Sequence, residues 1–185
     1  MRRQATELIL KELSDTLPAI DDEEFSVFVG ELMVPGRRVL LVGVGRVMLS
    51  LKAWVKRMRH LEIDINYVGD ETEMPVGPGD LVVIGSSSGE SRLPVMIAEL
   101  AKEAGAAVAY VGCTPDSTVG RLADLRVLLR GRTKFAAPGE YPSQQPMSAL
   151  FEQQLFLLGD VAALEIMSRH GWTEADIKHR HANLE

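Results

Sequence analysis

The chain has 185 residues, 46% of them hydrophobic and 25% charged, with a formal net charge of −6 at pH 7; this suits one globular domain with a full core and excludes a disordered composition. The acidic balance disfavours a nucleic-acid partner, which needs a concentrated basic surface, and the cluster Lys52, Lys56, Arg57 and Arg59 reads as one solvated helix face. No apolar run approaches the roughly 20 residues of a membrane span, Met1-Arg2-Arg3-Gln4 leads into an amphipathic stretch and not a signal-peptide core, and the single Cys113 forms no internal disulfide, so no membrane association and a cytoplasmic setting are expected.

Ala5, Leu8, Ile9 and Leu13, and again Phe25, Phe28, Val29 and Leu32, fall near helical spacing, which predicts two N-terminal helices within residues 1–36. Ser14-Asp15 and Pro18 are expected to interrupt them, and Asp21-Asp22-Glu23-Glu24 suits the dipole of the second helix start. An alternating pattern follows over 37–130. Strands are predicted at Val39–Val42, Ile63–Val68, Leu81–Ile84, Ala107–Val111 and Leu125–Leu129, and helices at about Val47–Arg59, Ser91–Ala104 and Ser117–Ala123. Continuously apolar strands are those of a parallel sheet covered on both faces. The expected fold is therefore α/β: a doubly wound, flavodoxin-like, five-stranded parallel sheet with helices on both faces, plus the N-terminal helices, in a single domain over 1–185. Residues 131–185 then supply a polar loop to Pro146, a helix from Met147 to about Arg169, and a tail. The stripe Met147, Phe151, Leu155, Leu158, Ala162 and Ile166 leaves Phe156 and Ala163 on a flank, a pattern that points to an oligomer interface.

Gly85-Ser86-Ser87-Ser88-Gly89-Glu90-Ser91 closes a buried strand and opens a helix. Hydroxyls, backbone N–H groups and the helix dipole converge there on an anion, and glycine lets the backbone come close to it. A plain turn with Ser91 as N-cap is the simpler alternative. Gly43-Val44-Gly45 makes a poor dinucleotide fingerprint because Met48 replaces its third glycine; Arg46 reads instead as a guanidinium beside the pocket. Glu152 lies at the edge of the apolar stripe, where shielding by Phe151 and Phe156 favours a proton-abstracting carboxylate and the helix N-terminus opposes it. His60 and His170 fall near helix ends, where cations are favoured. The spacing of His179 and His181 does not make a zinc pair, so no metal is expected.

Together, Gly43-x-Gly45-Arg46, Ser86-x-Ser88-Gly89-Glu90-Ser91, Gly131-Arg132-Thr133-Lys134, Gln144-Gln145-Pro146-Met147-x-x-Leu150-Phe151-Glu152 and the closing His181-Ala182-Asn183-Leu184-Glu185 resemble the sugar isomerase (SIS) domain family. Within it they are most similar to the 6-phospho-3-hexuloisomerases. The resemblance implies interconversion of D-arabino-3-hexulose 6-phosphate and D-fructose 6-phosphate without cofactor, in a homotetramer whose sites involve neighbouring chains. It assigns Glu152 as base, His181 as acid or proton shuttle, and Gly45, Arg46, Ser86, Ser87, Ser88, Gly89, Ser91 and Gln145 to the phosphorylated sugar. Val47 departs from the small hydroxyl residue usual after the arginine, and Ser87 from glycine. A lost hydroxyl removes about 1 kcal/mol of hydrogen bonding, enough to change substrate preference. A phosphosugar sensor without catalysis and an aldose–ketose isomerase are the competing readings. The acidic N-terminal region offers a sensor no basic recognition helix.

Overall fold

In the computed structural model, which describes residues 1–184, the most apolar runs become the centre of a parallel sheet. Strands β1 (Arg38–Val42), β3 (Leu81–Ser86) and β4 (Ala107–Gly112) are buried almost throughout; β2 (Asp64–Tyr67) and β5 (Leu125–Leu128) are shorter, partly exposed edges. The order is β2-β1-β3-β4-β5 with every pair parallel, the flavodoxin-like arrangement expected from the alternating pattern. Side-chain alternation sorts the core into two layers. Leu41, Val83, Ala109 and Val111 join one, Val42, Ile84, Val108 and Tyr110 the other. The first is covered by α2 (Asp22–Leu32), α3 (Arg46–Arg59) and α6 (Ala149–His170), the second by α4 (Arg92–Glu103) and α5 (Thr118–Leu122).

Helix α1 (Arg2–Thr16) runs through Ser14-Asp15, contrary to the interruption expected there, because Ser14 Oγ donates to the Lys11 carbonyl inside the helix at 2.8 Å. Pro18 instead sits in a short 3-10 turn, Leu17–Ala19. Asp21 caps α2 as the acidic run suggested, accepting from the Glu23 and Glu24 amides. Helix α6 begins at Ala149 and not at Met147, whose φ of +55° lies outside helical space. A short α7 (Glu174–Lys178) precedes the tail.

Strand order reverses between β1 and β3, and Val42 pairs with Ile84, so the loops that follow Val42 and Ser86 leave the carboxyl edge side by side. Helices α3 and α6 descend together from that edge. Ser50 Oγ donates to the Glu152 carbonyl at 2.8 Å and Trp54 Nε1 to the Leu155 carbonyl at 2.7 Å. A Cβ on Gly159 would lie 2.2 Å from Trp54 Cδ1, so glycine sets how closely the helices approach. Gly159→Ala is expected to destabilise the fold by about 1–3 kcal/mol, the usual cost of overpacking a core, read as a lower urea midpoint with unchanged slope.

Candidate active site

The serine turn owes its shape to its own side chains and to the neighbouring β4 loop. Ser86 Oγ is buried and accepts from the Gly89 amide at 3.1 Å, and Ser88 Oγ accepts from the Glu90 amide at 3.3 Å. The Ser87 carbonyl accepts from the Cys113 amide at 3.0 Å and the Thr114 hydroxyl at 3.4 Å. Glu90 turns away to receive the Thr118 amide and hydroxyl at 2.8 and 2.9 Å. Ser91 occupies the N-cap position of α4, yet its side chain makes no capping hydrogen bond, so its hydroxyl and the first amides of α4 stay available to an anion. Gly89 has φ +62°, and a Cβ there would lie 2.0 Å from Ser117 Oγ. Burial pushes the Cys113 thiol up to about 12, which keeps it protonated at neutral pH and fits a packing role.

Glu152 stands in the first turn of α6, at the same sheet edge. Its side chain is 11% exposed; Oε1 accepts from Ser148 Oγ at 3.1 Å, and the buried Oε2 faces Arg46 Nη1 at 3.1 Å without the alignment of a hydrogen bond. Arg46, at the start of α3, is 63% exposed and so can swing towards a ligand while remaining near the carboxylate. Gly45 provides the turn into α3 with φ +58° and ψ −132°, a conformation open essentially to glycine. The pair opens into a cleft of about 520 Å³ whose walls include Ile9, Leu13, Leu49 and Phe156. Gly85, just before the serine turn, packs against both helices: a Cβ there would approach Leu155 and Val47 to 3.1 Å each, and Leu155 lies one helical turn below Glu152. Val47 is buried beneath Gly43 and Gly85, so its methyl groups fill core space between the two loops.

The loop between β5 and α6 is held by acids. Thr133 donates its amide and hydroxyl to Glu140 at 2.9 and 2.6 Å, and Arg132 Nη1 donates to the Ser143 carbonyl at 2.9 Å. Glu12 reaches across from α1 with only 4% exposure and accepts from Ser143 Oγ, the Gln144 amide and Gln145 Nε2 at 2.6, 2.7 and 3.0 Å. Burial pushes its carboxyl up, but these hydrogen bonds and the nearby Arg132 charge outweigh that and hold it below the usual carboxylate range. Gln145, which the resemblance assigns to the ligand, has both ends of its carboxamide engaged inside the protein, by Glu12 and by Gln153.

His181 lies elsewhere. Its ring sits 5.2 Å from that of His60, just past the end of α3, and the tail is pinned there by Arg180, which pairs with Glu62 at 2.7 Å and packs over Trp172. Helix α3 has 14 residues, about 20 Å at 1.5 Å per residue, and it separates His181 from the Arg46–Glu152 pair of its own chain. The structure thus joins Gly45, Arg46 and Glu152 with Ser86–Ser91 at one edge and leaves His181 at the opposite end. Glu12, Ser148 and Gln153 escaped the sequence reading. Ser148 and Gln153 flank Glu152 and were within reach of an i, i+4 or nearest-neighbour argument; Glu12 was not, because an acid on an amphipathic helix gives no sign of being buried. Gly89→Ala is expected to destabilise the fold by about 1–3 kcal/mol, read as a lower urea midpoint, since the turn cannot keep its shape around a Cβ.

The SIS domain family profile matches residues 35–158. A 3-hexulose-6-phosphate isomerase of Bacillus subtilis (strain 168) is 34% identical over 177 residues, covering 96% of this chain and 95% of that protein. One from Mycobacterium gastri is 35% identical over 179 residues, covering 96% and 88%. Among solved structures, a Methanococcus jannaschii protein whose structure was described as inferring a molecular function of 3-hexulose-6-phosphate isomerase superposes with a TM-score of 0.75 at 24% identity, covering 96% of this chain and 94% of that one. A sheet of this order, a serine turn at its switch point and a profile spanning both have one reading: the chain belongs to the SIS domain family.

Proposed function

We propose that the protein interconverts D-arabino-3-hexulose 6-phosphate and D-fructose 6-phosphate. The observation that carries this reading is the shielded Glu152 carboxylate, paired with an exposed arginine at the sheet edge from which the serine turn also leaves. Relatives bearing that activity by name at 34–35% identity over nearly the whole chain support it.

Ser86, Ser87, Ser88, Gly89 and Ser91 hold the phosphate ester, which fixes the distance from phosphorus to the reacting carbons. Glu152 removes the proton from C2 of the 3-hexulose; the electron pair moves into a C2–C3 double bond, and the former carbonyl oxygen becomes one of the two enediolate oxygens. Arg46 leaves Oε2 of Glu152 to meet those oxygens, where positive charge counts most. The proton held by Glu152 then returns to C3 as the carbonyl forms at C2, so atoms and electrons balance within the sugar. A proton must also pass between the two oxygens. His181 of a neighbouring subunit is the proposed shuttle, because the chain's own His181 lies about one α3 length away. Leu49, Phe156 and Leu164 are 66%, 46% and 68% exposed on α3 and α6, an apolar surface that fits burial in a homotetramer. The phosphorylated sugar is the small-molecule partner. Among the described residues no helix is long and apolar enough to cross a membrane, and the proposed setting is the cytoplasm.

The test is deuterium exchange followed by NMR. Incubation with fructose 6-phosphate in deuterated water is expected to place label at C3; label at C1 would mean an aldose–ketose enzyme, and saturable binding without exchange a sensor. Glu152→Gln is expected to slow exchange by about 10²–10⁴-fold, the usual worth of a general base, with affinity for the sugar phosphate nearly unchanged. Undiminished exchange would remove Glu152 from the mechanism.

A further inference from the structure

Next to the candidate base, the structure leaves an acceptor that the reaction above does not use. Gln153 lines the same cleft as Glu152 and Arg46, and its Oε1 is buried with no hydrogen-bond partner. A buried acceptor left unmade costs free energy and calls for an explanation. Which end of this amide is left without a partner is not arbitrary, because it is dictated from α1. Glu12 is ionised and can only accept; it receives Gln145 Nε2 at 3.0 Å, which turns Gln145 Oε1 outward to receive Gln153 Nε2 at 2.8 Å. With its nitrogen held by Gln145 Oε1, Gln153 turns its carbonyl end the other way, and Oε1 is the end left buried and unpartnered beside the cleft wall. Two amides thus transmit the character of one carboxylate from α1 to the first turn of α6.

We propose that Glu12 is a positioning residue for catalysis: through Gln145 it orients Gln153 so that an acceptor, and no donor, stands beside Glu152, where it receives the hydroxyl of the sugar next to the carbon being deprotonated. The inference rests on the isomerase reading of the site. It assigns Gln153 a direct contact with the substrate, and Glu12 and Gln145 an indirect one. A Glu12→Gln substitution supplies an amide that can donate to Gln145, so both downstream amides can reverse and the Gln153 NH2 can turn into the cleft. There it competes for the Glu152 carboxylate and repels the hydroxyl proton it should accept.

The test is a double-mutant cycle on the full chain with Glu12→Gln and Gln153→Met, measuring kcat and KM for fructose 6-phosphate isomerisation together with thermal unfolding. Each single variant is expected to lose about tenfold in kcat with KM changed less than about twofold, and the double variant to lose about tenfold and not a hundredfold, since both act on one carbonyl. Gln153→Met leaves the buried acid untouched, so it reads the contact even if Glu12→Gln folds poorly. Unchanged kcat in Gln153→Met overturns the proposal. So do losses that multiply in the double variant, or that fall in KM and melting temperature instead of kcat, because these mark a merely structural acid. A wild-type protein that binds fructose 6-phosphate without isomerising it refutes the isomerase reading instead; the positioning claim is then judged by calorimetry, where Gln153→Met is expected to weaken binding severalfold and unchanged affinity overturns it.

Discussion

The side-by-side descent of α3 and α6 from one edge of the sheet is the constraint on which the rest of the site depends. Glu152 and Arg46 come from segments more than a hundred residues apart, and they meet only because each opens its helix at the same level. Glycine at position 159 removes the Cβ that would drive α6 away from the Trp54 ring, and the Ser50 hydroxyl and Trp54 indole clamp two α6 carbonyls that already belong to the helix ladder. A one-residue slip along α6 turns Glu152 by about 100° around the helix axis and takes it away from Arg46. Rigidity here is set by packing, and the chemistry inherits it.

Electrostatics divide the site into two parts with different demands. The serine turn, proposed as the phosphate site, carries no charge of its own beyond the outward-turned Glu90, so hydroxyls and amides are what it has to offer an anion. The carboxylate half is held in place by Arg46 on one side and Ser148 on the other, beside the apolar side chains of Ile9, Leu13, Leu49 and Phe156. For the proposed base, the exposure of Arg46 leaves its partner cation room to move aside. Glu12 applies similar logic away from the cleft, where a buried acid stays ionised because hydroxyl, amide and guanidinium groups surround it.

The central strands and the serine turn were legible in the sequence because each rests on local or short-range signals: unbroken apolar runs for buried parallel strands, and small hydroxyl residues between glycines for a turn from strand to helix. Phe156 stood out for a related reason, since its place off the main apolar stripe leaves it exposed on α6. The errors were local as well. Ser14-Asp15 looked like a helix end, but a hydroxyl can bond back to its own helix, and Met147 looked helical by periodicity while its backbone turns the other way. Val47, which looked like a missing ligand group, is a packing residue under two glycine loops.

By itself, then, the chain determined its layers, its sheet order and the location of the serine turn, because periodicity and glycine placement act over a few residues at a time. Only the tertiary structure decided what stands next to Glu152. It brought Arg46 to its side, seated Glu12 under the loop before α6, engaged both ends of Gln145, and put His181 at the far end of α3. Those relations depend on how helices far apart in sequence are set against one another, and a one-dimensional pattern does not encode the distance between two helix faces.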